Sequence, residues 1–210
     1  MTLFPIEAIV NAANTRLQGG GGVDGAIHRA AGPGLLVELR QLYPNGGVDG
    51  GAYYTGAHNI RTTQHIIHTI GPNYRAYEAQ GRAAAAHPVL FDAYANSMRE
   101  AANRGIRSIS FPTLSTGIFA FPGEDACKIA LSAVKQILDE ARVAGYFSYP
   151  LELLCRGWGF TGFTKFLARL ENPIDYNSDA FLPYVEVDAN LYYNTILLSF
   201  NPLDNSRSLV

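Results

Sequence analysis

Asn11, Asn14, four consecutive glycines at 19–22, Asp24 and His28 crowd into one short stretch near the N-terminus. Glycines lack the side chains that keep backbone N–H groups away from a bulky anion. A helix beginning just after them points its positive end at the same place. The run therefore reads as a phosphate cradle. Asp24 and His28 stand four residues apart, on one face of that helix. A positioned carboxylate can orient a water molecule and take up its proton, and Asn14 brings an amide that both donates and accepts. Plainer roles stand beside these. Asp24 suits the first turn of a helix, where the dipole favours an acid. His28 can serve as a packed, hydrogen-bonded side chain, and Asn11 as a loop-shaping amide. A second glycine loop lies at Ser115, Thr116, Gly117, Ile118 and Phe119.

Other chemistries fit less well. Residues 20–25 satisfy G-x-G-x-x-G, the dinucleotide fingerprint. Here, however, eight residues separate Val10 from the first glycine, and Asp24 would face the pyrophosphate. No acidic residue closes a second strand about 20 positions later. His58, His65, His68 and His87 lack the clustered spacing of a metal site and are read as core or surface residues. Cys127 and Cys155 read as buried thiols. Neither a metal nor a cofactor is inferred.

The elements that must carry these groups follow from periodicity. Residues 6–10 form an Ile- and Val-containing run that stops at the asparagines and reads as a buried strand. After the glycine loop and its helix, Pro33 opens a second helix with an apolar stripe of Leu35, Leu36, Leu39 and Leu42. Residues 52–60 and 65–70 read as strands, and 73–86 as a polar, then alanine-rich surface excursion or lid. Helical spacing returns over 88–103, followed by a strand at 106–111 and a loop at 112–122. An amphipathic helix runs from Glu124 toward Gly145. Residues 151–155 read as the last core strand and 163–170 as a closing helix. Alternating strands and helices predict a layered α/β domain with ligand loops at the carboxyl ends of the strands.

Composition sets the frame around that domain. At 210 residues and 48% hydrophobic content, the chain suits one domain over residues 1–171 with an appendage at 172–210. The appendage carries five acids (Asp175, Asp179, Glu186, Asp188, Asp204) against Arg207. Its aromatic residues argue against plain disorder, and 191–200 is a candidate strand. A net charge of -2 supplies no general footprint for nucleic acid. No basic segment leads into an apolar core at the N-terminus, and no apolar stretch approaches a membrane span. The chain is expected to be intracellular, in the cytoplasm.

Four blocks in order carry a resemblance: Asn11-Ala12-Ala13-Asn14; Gly19 to His28; His68-Thr69-Ile70-Gly71-Pro72; and Phe111 to Phe119. Together they resemble the macrodomain family, in particular its MacroD-type branch, over about residues 2–170. The resemblance implies a three-layer α/β/α sandwich with a mixed central sheet. It implies ADP-ribose as ligand, its diphosphate held by backbone N–H groups of both glycine loops and its distal ribose covered by Phe119. By the same resemblance Asn14, Asp24 and His28 are the catalytic residues. Asn11, Ala12, Gly20, Gly21, Gly22, Val23, Ser115, Thr116, Gly117, Ile118 and Phe119 contact the ligand. The family pattern also has a preceding strand with an Asp for the adenine amino group, and counting back places that Asp ahead of Met1. Arg156 stands where the family has an aromatic that stacks on adenine and is read as a further ligand contact, since arginine can stack on a base, with Trp158 and Phe160 nearby. Ala120 replaces the usual glycine after Phe119.

The activity expected from this resemblance is metal-free hydrolysis of ADP-ribose esters. The partners are mono-ADP-ribosylated proteins with modified acidic side chains, and O-acyl-ADP-ribose. The alternative is a reader that binds ADP-ribose without turnover, and the pairing of Asn14 with Asp24 favours the enzyme.

Overall fold

The computed structural model describes residues 6–143, 151–156 and 195–200. Among them a six-stranded sheet forms the middle layer. Its strands are β1 (Ala8–Ala12), β2 (Ala52–Gly56), β3 (His65–Thr69), β4 (Ser108–Pro112), β5 (Leu151–Arg156) and β6 (Thr195–Phe200), in spatial order β2-β3-β1-β4-β6-β5. β1 runs parallel to both β3 and β4, while β2 and β6 run antiparallel to their neighbours, so the sheet is mixed.

Strand β1 shows why both faces are covered. Ala8, Ile9, Val10 and Asn11 are all at 0% exposure, which a one-sided sheet cannot achieve because successive side chains point to opposite faces. Ala8 and Val10 join a core with helix α4 (Ala86–Asn103) and helix α5 (Gly123–Val143), through Leu90, Tyr94, Leu131 and Val134. Ile9 faces the other way. It packs with helix α1 (Gly22–Ala31) and helix α2 (Pro33–Leu42), through Ile27, Leu35 and Leu39. The arrangement is the expected α/β/α sandwich.

The edge strand β2 is closed off by α2 and by Tyr43, the residue that caps its end. The Tyr54 N–H donates to the Tyr43 hydroxyl, which donates in turn to the Tyr54 carbonyl, both at 3.0 Å. Two residues on, the Gly56 N–H reaches the Glu38 carboxylate at 3.3 Å. These contacts occupy outward-facing groups that another chain could otherwise pair with. They also fix Thr55, which lies between them.

Several elements differ from the sequence reading. β1 continues through Asn11 and Ala12, because pairing with β3 (Asn11 opposite His68, Ala12 opposite Thr69) outweighs the weak strand preference of Asn. The strand expected over 52–60 ends at Gly56. Helix α4 starts before Pro88, whose missing N–H costs nothing in a first turn where N–H groups have no helical partner. Residues 73–86 hold a short helix α3 (Tyr74–Ala79) and a 3₁₀ turn at Ala83–Ala85.

The largest correction concerns the last strand. β5 is not the final strand and does not adjoin β4: β6, drawn from the C-terminal appendage, lies between them and pairs with both. The apolar run Thr195-Ile196-Leu197-Leu198 has the composition of a buried strand, and the free edge of β4 offers it a full ladder. The closing helix expected at 163–170, together with Trp158 and Phe160, lies outside the described residues.

Candidate functional site

β1 and β4 run parallel side by side, so the loops after them emerge at the same end of the sheet. Those loops are the two glycine loops. The first needs glycine at Gly19 (φ 83°) and Gly22 (φ 60°), in the left-handed region. A third glycine acts by clearance: a Cβ on Gly25 in α1 would stand 2.5 Å from the Gly20 carbonyl oxygen, so the loop lies directly on the helix. Across from it, Ile118 of the second loop is 75% exposed, and its Cδ1 lies 4.0 Å from where a Gly21 Cβ would stand. The two loops therefore face each other at close range.

The second loop is held from behind. The buried Tyr94 hydroxyl receives the Leu114 N–H at 3.0 Å and donates to the Pro112 carbonyl at 3.4 Å. Tyr74 of α3 packs on Phe121 with ring centroids 4.8 Å apart, and the Arg75 N–H donates to the Phe119 carbonyl at 3.3 Å. Residues 73–86 thus brace the second loop. Ser115 (φ 62°) and Ala120 (φ 55°) sit in the left-handed region without being glycine.

Asp24 is the chemical centre of the first loop. It lies in the first turn of α1 at only 4% exposure. Its Oδ1 accepts from Asn11 Nδ2 at 2.7 Å and stands 3.4 Å from His28 Nε2. Its Oδ2 lies 3.0 Å from where a Gly20 Cβ would stand, and Asn14 Nδ2 lies 3.2 Å from the same point. Asp24 and Asn14 therefore converge on Gly20, with no side chain between them. Burial raises the Asp24 pKa above the ordinary aspartate value, while the Asn11 hydrogen bond and the nearby His28 oppose that rise. Such a carboxyl is a stronger base than a solvated one.

The structure treats the remaining sequence candidates unequally. Asn14 braces its own loop, with Nδ2 donating to the Gly19 carbonyl and Oδ1 accepting the Arg16 N–H, both at 3.0 Å. His28 lies beneath Gly19, whose added Cβ would be 3.4 Å from the imidazole. Gly20, Gly21, Gly22 and Val23 lead into α1, and Ser115, Thr116, Gly117, Ile118 and Phe119 form the facing loop. Asn11 is not a loop amide: it is fully buried within β1 and holds Asp24. Ala12 points to the opposite layer, packed against the α4 and α5 core, which leaves only its backbone for a ligand. Arg156 ends β5 opposite Thr195, and its side chain lies outside the described residues.

Sequence reasoning missed Thr55, His68 and Tyr94. His68 is fully buried, with Nδ1 3.0 Å from Asn11 Nδ2 and Nε2 2.8 Å from Thr55 Oγ1. Burial, with His28 nearby, pushes its pKa down to about 3, so the imidazole is neutral. Strand alternation is the signal that finds these residues: Thr55, His68 and Asn11 share the sheet face of Tyr53, Ile66 and Ile9, beneath α1 and α2. Among the described residues no three His, Cys, Asp or Glu side chains gather as a metal site requires, and no helix is long and apolar enough to cross a membrane.

A mixed sheet sandwiched by helices, with two facing glycine loops at the carboxyl ends of parallel strands, defines a three-layer α/β/α domain with its loop cleft at that end of the sheet. The Macro domain family model matches residues 10–130, and the chain belongs to that family. It is 45% identical over 139 residues to human ADP-ribose glycohydrolase MACROD2, covering 66% of this chain and 31% of that protein. It is 43% identical over 143 residues to the O-acetyl-ADP-ribose deacetylase of Klebsiella pneumoniae, covering 66% and 77%. The chain thus spans about a third of the first relative and about three quarters of the second. Among solved structures, the Oceanobacillus iheyensis macrodomain with ADP is similar at TM-score 0.59 and 38% identity, over 66% of this chain and 73% of that one.

Proposed function

We propose that the chain hydrolyses ADP-ribose esters, removing mono-ADP-ribose from acidic protein side chains or the acyl group from O-acyl-ADP-ribose. The carrying observation is Asp24: buried, raised in pKa, held through Oδ1 by Asn11, and with Oδ2 converging with Asn14 on the side-chain-free Gly20. In this reading the two glycine loops grip the diphosphate through backbone N–H groups, and Phe119 covers the distal ribose. Asp24 orients a water and accepts its proton as the water oxygen bonds to the reacting carbon. The carboxylate departs with the bonding electrons, or, in the acyl ester, the ribose oxygen departs with them and takes up the proton that Asp24 collected from the water. Asn14 fixes the ribose hydroxyls, and His28 braces Asp24. Relatives named as an ADP-ribose glycohydrolase and an O-acetyl-ADP-ribose deacetylase support this chemistry, and a neighbour solved with ADP supports the diphosphate.

The test compares wild type with Asp24→Ala on a protein carrying ester-linked mono-ADP-ribose and on O-acyl-ADP-ribose. Turnover is expected to fall about a hundred- to ten-thousand-fold, while calorimetry still shows ADP-ribose binding, because the backbone donors remain. A wild type that binds ADP-ribose but turns over neither substrate would establish the reader instead. Binding of AMP as tight as that of ADP-ribose would defeat the diphosphate assignment in either case.

A further inference from the structure

We infer that His68 and Thr55 are positioning residues for Asp24, the inner links of a buried hydrogen-bond relay running from edge strand β2 through β3 and β1 to helix α1. The inference rests on the hydrolase reading only for its kinetic arm.

The links are Thr55 Oγ1 to His68 Nε2 at 2.8 Å, His68 Nδ1 to Asn11 Nδ2 at 3.0 Å, and Asn11 Nδ2 to Asp24 Oδ1 at 2.7 Å. Thr55, His68 and Asn11 are at 0% exposure and Asp24 at 4%, so the relay is closed to bulk water. Its polarity follows from what each atom can do. An ionised Asp24 only accepts, so Asn11 must turn its nitrogen toward the carboxylate. The second hydrogen on that nitrogen reaches His68 Nδ1, which must then accept. A neutral imidazole accepting at Nδ1 carries its proton on Nε2, and that proton is donated to Thr55 Oγ1.

The orientation of Asn11 depends on this chain. Its Oδ1 is buried without a hydrogen-bond partner among the described residues, so nothing at that end holds the amide in place. Only Asp24 and His68 do. With the acceptor at His68 removed, the second N–H of Asn11 is left buried without a partner and the amide is held by Asp24 alone. The Asn11–Asp24 hydrogen bond that opposes the burial of the carboxyl is then less firmly aligned, so Asp24 holds its proton to higher pH and loses part of its fixed orientation. This gives a reason for a polar triad in a core layer where apolar side chains pack without cost.

The experiment uses the full chain as wild type, Thr55→Val, His68→Leu and His68→Asn. Nitrogen NMR of the imidazole is expected to show His68 neutral and protonated on Nε2 throughout the neutral range. Carbon NMR of the Asp24 carboxyl is expected to titrate about one to two pH units higher in His68→Leu. The acidic limb of kcat moves up with it. At neutral pH kcat falls about ten- to a hundredfold while KM stays near wild type. In His68→Asn the amide oxygen stands near the lost Nδ1 and restores most of both. Thr55→Val shifts them in the same direction by less, and because it is close to Thr in shape it carries the test if His68→Leu fails to fold. An Asp24 titration unchanged in Thr55→Val and both His68 variants overturns the relay, as does a His68 protonated on Nδ1. A wild type without turnover removes the hydrolase reading, and the carboxyl titration still decides the relay.

Discussion

The two glycine loops occupy equivalent places, each following a parallel strand at the same end of the sheet, yet they hold their shapes by different means. The first relies largely on absence of side chains: Gly19 and Gly22 take positive φ and Gly25 clears the path for Gly20, with Leu17 at φ 52° and the Asn14 bond to the Gly19 carbonyl completing it from within. The second places Ser115 and Ala120 at positive φ and is pinned from outside by Tyr94, by Tyr74 against Phe121, and by the Arg75 N–H. Among the described residues, only the first is joined to a buried carboxylate, through α1. On the hydrolase reading, a loop that must sit within contact of the reacting group has no room for side chains, whereas a loop that only grips the diphosphate can be shaped by its neighbours.

Gly25→Val tests this division with the largest expected effect. The new side chain meets the Gly20 carbonyl, displaces the first loop from α1, and removes turnover along with most ADP-ribose binding in calorimetry. Thermal unfolding checks that the domain persists. Retained turnover would mean the first loop does not depend on its seat on the helix.

Tyr94→Phe addresses the second loop. It deletes the hydroxyl that holds the Leu114 N–H and the Pro112 carbonyl, leaves a buried N–H without a partner, and is expected to cost about 1–3 kcal/mol of stability by denaturant unfolding. ADP-ribose binding is expected to weaken with little change in the pH dependence of turnover, since Asp24 and its partners are untouched.

Asp24→Asn separates chemistry from folding. A carboxyl whose pKa is raised in the folded state binds its proton more tightly there than in the unfolded chain. Its contribution is therefore favourable below the unfolded value and is lost as pH rises through the folded value. Asp24→Asn is accordingly expected to be more stable than wild type at neutral pH, with the advantage shrinking toward acid, while turnover is lost. Equal stability at both pH values would show that burial costs this carboxylate nothing.

The smallest effect belongs to Ala120→Gly. Relieving a left-handed alanine is expected to change stability by no more than about 1 kcal/mol, because the folded-state relief is offset by the greater freedom of the unfolded chain. A loss of ADP-ribose affinity on this change would show that alanine stiffens the second loop for binding.

Much of this was legible along the chain, because local rules suffice for it. Glycine runs, an acid and a histidine one turn apart, and Pro33 opening a helix with Leu35 and Leu39 inward depend on neighbours within a few residues. The layered fold followed from alternating periodicities. The seat of Asn11 did not, since whether β1 stops at Val10 or runs on to Ala12 is decided by its ladder with β3. His68 looked like any core histidine until pairing set it beside Asn11, 57 positions away in sequence. β6 between β4 and β5, and Tyr94 beneath the second loop, are likewise long-range facts. Periodicity tells a residue which face of its own element it occupies. Only the register between distant strands decides what stands opposite, and a shift of one residue would have turned His68 and Thr55 away from Asp24 altogether.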